Sequence, residues 1–169
     1  MKKPIIYLVG FMGAGKTSVG QRLAKMLGWR FTDLDHVIEE IEGRPIRDIF
    51  RDSGEPYFRN IERRELARAG SWREVVVALG GGTFCYDCNR RIVQESGVSV
   101  WLDAPLEILY ARCAGKEDRP LFTTREKMHD LLEFRRPFYA KADLKVDAGE
   151  RPIDSIAADI LNSLKNSDL

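Results

Sequence analysis

The segment Gly10-Phe11-Met12-Gly13-Ala14-Gly15-Lys16-Thr17 carries the first chemistry that spacing alone suggests. It fits G-x-x-x-x-G-K-[ST], a phosphate cradle. Glycines let backbone N–H groups turn inward around phosphate oxygens with no side chain in the way. A helix beginning at this point adds partial positive charge. In such a loop Gly13, Ala14 and Gly15 wrap the phosphates, Lys16 reaches the β- and γ-phosphates, and Thr17 supplies a hydroxyl to Mg²⁺. The cradle specifies a phosphate donor. It leaves the acceptor open, because many unrelated activities share it.

Further groups stand where an acceptor would need them. Asp33-Leu34-Asp35 follows a short strand candidate, and period-2 geometry puts both carboxylates on one side. One could support the Mg²⁺ shell and the other accept a hydrogen bond from an attacking hydroxyl. Either could instead cap a helix beginning near His36. Arg59 and Glu62 are three apart on one helical face, a spacing whose ordinary meaning is a surface ion pair worth about 0–1 kcal/mol. Gly80-Gly81-Gly82 closes a valine-rich strand. A parallel strand cannot turn straight back, so three glycines there point to close approach of backbone to a ligand. Arg119-Pro120-Leu121 lies in the polar stretch 114–124, a candidate mobile lid. Arg135 and Arg136 precede Pro137-Phe138-Tyr139.

These groups need elements to hold them. Ile5 to Val9 is a short continuous apolar run, suited to a parallel strand buried on both faces. Ser18 to Leu27 has helical spacing and ends at Gly28. Arg30 to Thr32 predicts a strand. His36 to Glu42, Ile46 to Asp52 and Pro56 to Ala69 predict three helical pieces. Glu74 to Leu79 contains Val75-Val76-Val77, the most strand-like run in the chain. Asn89 to Glu95 predicts a helix, Val98 to Leu102 a strand and Leu106 to Cys113 a helix. Arg125 to Lys141 predicts a long charged helix interrupted by Pro137. Leu144 to Val146 and Ile153 to Leu164 supply a last strand and helix. About five strands alternating with helices predict a three-layer α/β fold with a parallel sheet.

Composition narrows the function classes. The chain has 169 residues, one domain by length, with no repeat or linker dividing it. Lys plus Arg number 27 and Asp plus Glu 26, so charge acts locally and not as a global attraction to nucleic acid or an acidic membrane. No basic stripe or aromatic platform suggests nucleic-acid binding. No signal peptide or bilayer-spanning run is visible, and three cysteines make no disulfide framework, so a cytoplasmic protein is expected. Cys85 and Cys88 form a C-x-x-C. Only Cys113, His36 and His129, scattered along the chain, could complete a zinc site, so two free thiols at a helix start are expected.

Taken in order, G-x-x-G-x-G-K-T, D-L-D, F-R-x-x-E, G-G-G, R-P-L and R-x-P-x-Y resemble shikimate kinase over nearly the whole chain. The resemblance implies a P-loop kinase fold with a five-stranded parallel sheet. It implies transfer of the ATP γ-phosphoryl group to the 3-hydroxyl of shikimate, with Mg²⁺. It implies that Arg59 and Arg135 clamp the shikimate carboxylate, that Asp35 holds the hydroxyls, and that Gly80, Gly81 and Gly82 present backbone to the ring. Asp33 would support Mg²⁺ bound through Thr17; Ser18 adjoins it. Lys16, Asp35 and Arg119 would be catalytic, Arg119 coming from the lid to the transferring phosphate. Arg112 and Pro152 would flank the adenine. A monomer is expected. Shikimate has one carboxylate and three hydroxyls, which suit bidentate arginines and an acceptor-only aspartate. Because phosphoryl transfer depends more on positioning than on a strong base, Asp35 needs no raised pKa. A related gluconate kinase, or a nucleotide-binding module without catalysis, is the alternative.

Overall fold

A computed structural model describes residues 4–114 and 124–166. Its centre is a five-stranded, wholly parallel sheet in the order β2-β3-β1-β4-β5. The strands are β1 (Ile5–Val9), β2 (Arg30–Asp33), β3 (Val75–Ala78), β4 (Val98–Asp103) and β5 (Leu144–Asp147). Every residue of β1 and β3 is buried, as are Val98 to Leu102 of β4. That explains why these strands read as unbroken apolar runs and not as alternation: helices cover both faces. The edge strands β2 and β5 are more exposed and more polar.

The connections are α1 (Lys16–Leu27), α2 (Leu34–Glu42), α3 (Ile46–Ala69), α4 (Asp87–Ser96), α5 (Leu106–Cys113), α6 (Arg125–Tyr139) and α7 (Ile153–Asn166). From β1 the chain moves one way along the sheet to β2, and from β3 it crosses the other way to β4. Right-handed crossovers then put α1 and α4 on opposite faces. Helix α7 packs on α1, and α3 on α4, giving the three-layer α/β architecture. The C-terminal ends of β1, β3 and β2 lie side by side. They deliver the phosphate loop, the glycine run and Asp33 to one edge, where ligands bind in such sheets.

Several local expectations need correction. Helix α2 begins at Leu34, not His36, because Asp33 caps it: Asp33 Oδ1 accepts the Asp35 N–H at 3.1 Å. Asp35 therefore sits on a helix, and strand periodicity does not relate the two carboxylates. The two helical pieces expected on either side of Ser53-Gly54 do hold: they follow one another within α3 but part at Gly54, whose φ 79° and ψ 169° are not helical. Glycine tolerates that conformation; other residues do not readily. Helix α6 is not interrupted at Pro137. The proline stands in the last turn, where it forfeits a hydrogen bond without ending the helix before Tyr139. Cys85 ends a short 3₁₀ turn, Thr83–Cys85, and only Cys88 lies in the first turn of α4.

Gly10 leaves β1 with φ 140°, and a Cβ built there would lie 2.6 Å from the Leu102 carbonyl oxygen. Both the backbone and the neighbouring strand demand glycine. Gly10→Ala should lower stability by about 2–4 kcal/mol, combining dihedral strain with overpacking. Urea unfolding would measure it; an unchanged midpoint would contradict the geometry.

Candidate active site

The phosphate loop gets its shape from glycines at positive φ. Gly13 has φ 77° and Gly15 φ 90°. Gly13 leaves no room for a side chain, since a Cβ would lie 2.9 Å from the Cys113 sulfur. Gly15 caps α1 with no side-chain hydrogen bond, so the first-turn amides are not claimed by a capping side chain. Lys16 Nζ donates to the carbonyl oxygens of Gly10 at 2.8 Å and Phe11 at 2.9 Å. Thr17 Oγ1 donates to Asp33 Oδ2 at 3.1 Å, and Ser18 lines the same space.

A cavity of about 960 Å³ opens over this loop, bounded by Asp33, Asp35, Gly80, Gly81 and Arg112. Arg112 closes one side. It donates to the carbonyls of Gly13 (3.2 Å), Ala148 (3.0 Å) and Gly149 (2.6 Å), tying α5 to the loop and to the segment after β5. Pro152 is exposed and does not line the cavity, although its neighbours Arg151 and Ile153 do. Arg119 lies outside the described residues, as does most of the lid stretch, 115–123.

Asp35 faces the cavity from α2. Its Oδ1 is buried and, among the described residues, accepts no hydrogen bond. Burial first, then the charges of Asp33 and Glu62, push its carboxyl up to about 7, with Lys16 pulling the other way. Asp35 thus has the raised pKa that the chemistry did not strictly require.

Arg59 projects from α3 toward Gly82. Its Nη1 donates to Glu62 Oε2 at 2.9 Å, while Nε and Nη2 both donate to Glu55 Oε1, at 3.1 and 3.0 Å. Glu62 is only 1% exposed, and its other oxygen accepts the Thr83 hydroxyl at 2.6 Å. The pair is therefore not the surface ion pair that i,i+3 spacing suggests. Burial works against the Arg59 charge, but Glu62 above all holds the guanidinium's pKa up. Rings of Phe58 and Tyr86 lie 5.1 and 5.2 Å from its central carbon. Arg59 and Gly82 are not part of the cavity lining; the backbone of Gly80 and Gly81 connects them to it.

The doubled arginine resolves by direction. Arg135 lies over the Phe11 ring at 5.7 Å, with Nη1 beside Gly81. Arg136 turns away to Asp103 at 3.4 Å and Glu133 at 3.1 Å. Tyr139, buried, donates its hydroxyl to the Gly81 carbonyl at 2.5 Å. Sequence reasoning gave no part to Glu55 or Thr83, and quoted Phe11 and Tyr139 only as members of their motifs, with no role of their own. Glu55 stands four before Arg59 and Tyr139 four after Arg135, so helical spacing was the available signal. No disulfide joins Cys85, Cys88 and Cys113. Burial pushes the Cys85 thiol up despite nearby Arg135, Arg59 and Arg90, which keeps it protonated.

Asp35 yields a stability prediction. Its folded pKa of about 7 exceeds the ordinary 3.8, so the folded chain favours the protonated form. Stability on this account is greatest below the unfolded pKa and is lost as pH rises through about 7. Asp35→Asn should raise Tm by several degrees at pH 8 and hardly at all at pH 4. Equal gains at both pH values would show that the carboxylate is not under strain.

Comparison with known proteins agrees with this geometry. A model of the shikimate kinase family matches residues 12–165. A shikimate kinase of Persephonella marina is 43% identical over 161 residues, covering 95% of this chain and 98% of the relative. The solved structure of a shikimate kinase from Acinetobacter baumannii, in complex with shikimate, superposes with a TM-score of 0.94 at 37% identity, over 99% of this chain and 96% of that one. A gluconokinase from Sinorhizobium meliloti, at 21% identity and a TM-score of 0.61 over 97% of this chain and 93% of that one, shares the fold alone. Phosphate loop, half-buried aspartate and arginines around a glycine run thus occur in a chain that belongs to the shikimate kinase family.

Proposed function

We propose that this chain transfers the γ-phosphoryl group of ATP to the 3-hydroxyl of shikimate, giving shikimate 3-phosphate and ADP, a step toward chorismate and the aromatic amino acids. The observation that carries this reading is the convergence of Asp35, Arg135 and Arg59 on Gly80, Gly81 and Gly82, next to the phosphate loop.

The roles follow from the chemistry of the groups. Gly13 to Ser18 bind the triphosphate through backbone amides and hydroxyls. Lys16 exchanges its two carbonyl contacts for phosphate oxygens. Arg59 and Arg135 take the shikimate carboxylate, and the backbone of Gly80 to Gly82 lies against the ring. Asp35 accepts the proton of the attacking hydroxyl as the new phosphorus–oxygen bond forms and ADP departs. A base poised near the working pH suits that role. Arg112, which already pins the Gly13 carbonyl, is assigned to the adenine side with the turn at Pro152. Arg119 is assigned to the transferring phosphate on its R-P-L motif alone.

Thr17 and Asp33 place hydroxyl and carboxylate oxygens together beside the cradle, the hard donors that Mg²⁺ prefers, with phosphate and water completing its shell. Bound there, Mg²⁺ would neutralise developing phosphate charge. We assign the chain to the cytoplasm as one monomeric domain. The absence of disulfides suits a reducing compartment.

A coupled assay should detect ADP release that requires both shikimate and Mg²⁺, with quinate and gluconate far poorer acceptors. ATP binding without shikimate turnover would sink the assignment. Arg59→Ala should raise the shikimate KM about 10–100-fold with little change in ATP affinity, the loss of a charge-assisted pair. Asp35→Asn should lower kcat about 10²–10⁴-fold. Because the deprotonated carboxylate is the base, kcat/KM for shikimate should fall tenfold per pH unit below about 7. A flat profile there would remove Asp35 from proton transfer.

A further inference from the structure

We propose that Glu55 is a built-in stand-in for the substrate carboxylate, occupying Arg59 until the acceptor arrives and thereby lowering the affinity for it. The proposal rests on the reading of Arg59 as the carboxylate clamp. Its basis is the difference between the two glutamates that meet this guanidinium.

Glu62 is anchored. It is 1% exposed, accepts from Nη1 at 2.9 Å, and is itself held by the Thr83 hydroxyl at 2.6 Å. Glu55 is not. Its side chain is 55% exposed, and a single oxygen, Oε1, spans Nε and Nη2 at 3.1 and 3.0 Å. That is the side edge of the guanidinium, one of the two edges a carboxylate can grip with paired hydrogen bonds. Glu55 is the first residue after the Gly54 kink, so it opens the second straight segment of α3.

Arg59 does not need Glu55 to stay in place. Glu62 holds one nitrogen, the rings of Phe58 and Tyr86 lie near the guanidinium, and Gly82 backs it. The contact that can be given up is the exposed one. Its carboxylate returns to water with little desolvation to reverse, and the pair itself is weak because both solvent and salt screen it. Substrate binding at this edge is then an exchange of one carboxylate for another. Arg59 keeps Glu62 as its fixed counter-charge throughout, and an acceptor with no carboxylate has nothing to exchange with Glu55.

The test is Glu55→Gln in the full chain, with shikimate KM, ATP KM and kcat measured together, and inhibition by shikimate methyl ester as a probe lacking the charge. A competing carboxylate predicts that shikimate KM falls about two- to fivefold, the range open to an exposed pair. The effect should fall on that constant and not on kcat, ATP KM or inhibition by the ester. A shikimate KM that is unchanged or raised would overturn the proposal; a raised value would mean that Glu55 positions Arg59. Failure of the unaltered chain to phosphorylate shikimate would overturn the acceptor assignment, and this proposal with it.

Discussion

The backbone from Gly80 to Gly82 passes so close to three side chains that a Cβ on it would push each of them aside. A Cβ at Gly80 would lie 2.7 Å from Asp35 Oδ1, one at Gly81 3.0 Å from Arg135 Nη1, and one at Gly82 2.8 Å from Arg59 Nη2. Each glycine thus makes room for a different functional group, and the three groups come from three different helices, α2, α6 and α3. The spacing of these three groups is in effect set by one turning ribbon of backbone at the end of β3, where the Thr83 N–H donates to the Gly80 carbonyl at 3.1 Å. The Tyr139 hydroxyl, donating to the Gly81 carbonyl, ties the ribbon to α6. The parallel sheet matters because it puts this ribbon beside the phosphate loop, as β3 and β1 are hydrogen-bonded neighbours.

Electrostatics at this site oppose stability. Asp35 has a buried, unpartnered oxygen with Asp33 and Glu62 close enough to repel its charge. The two acidic neighbours are there for other reasons. Asp33 caps α2 and accepts from Thr17, while Glu62 anchors Arg59. Burial raises the Asp35 carboxyl most, and packing those acidic roles into one small volume raises it further. A chain selected for stability alone would neutralise the site, which makes the strain itself a mark of function.

The sequence made the strand and helix order legible because β1, β3 and β4 are buried on both faces and carry unbroken apolar runs. The phosphate loop was legible because its glycines answer to backbone geometry that no other residue meets readily. Tertiary packing was less so. Arg59 and Glu62 read by spacing as a surface pair, since spacing reports a shared face and not that the Thr83 turn and the Tyr86 ring meet it. Asp33 and Asp35 read as strand neighbours or as candidate caps of the next helix, and nothing local decided that the cap falls at Asp33. Arg135 and Arg136 are indistinguishable by type; only the turn of α6 sends one to Phe11 and the other to Asp103. Pro152 rested on the resemblance alone, and the cavity wall there falls to its neighbours Arg151 and Ile153.

Phe11 shows why a variable position of the phosphate loop need not be arbitrary. Its carbonyl accepts from Lys16 at 2.9 Å, and its ring lies 5.7 Å from the Arg135 guanidinium carbon. One residue therefore touches a cation assigned to the donor and a cation assigned to the acceptor. Its side chain is only 1% exposed, so the ring offers its electron-rich face to Arg135 without admitting water between the two. A glycine or polar residue here would still satisfy the loop's backbone pattern. It would not give the Arg135 guanidinium an aromatic face to rest on. The loop's glycines answer to the phosphates, but Phe11 answers to the acceptor side, and the two halves of the site meet at that residue.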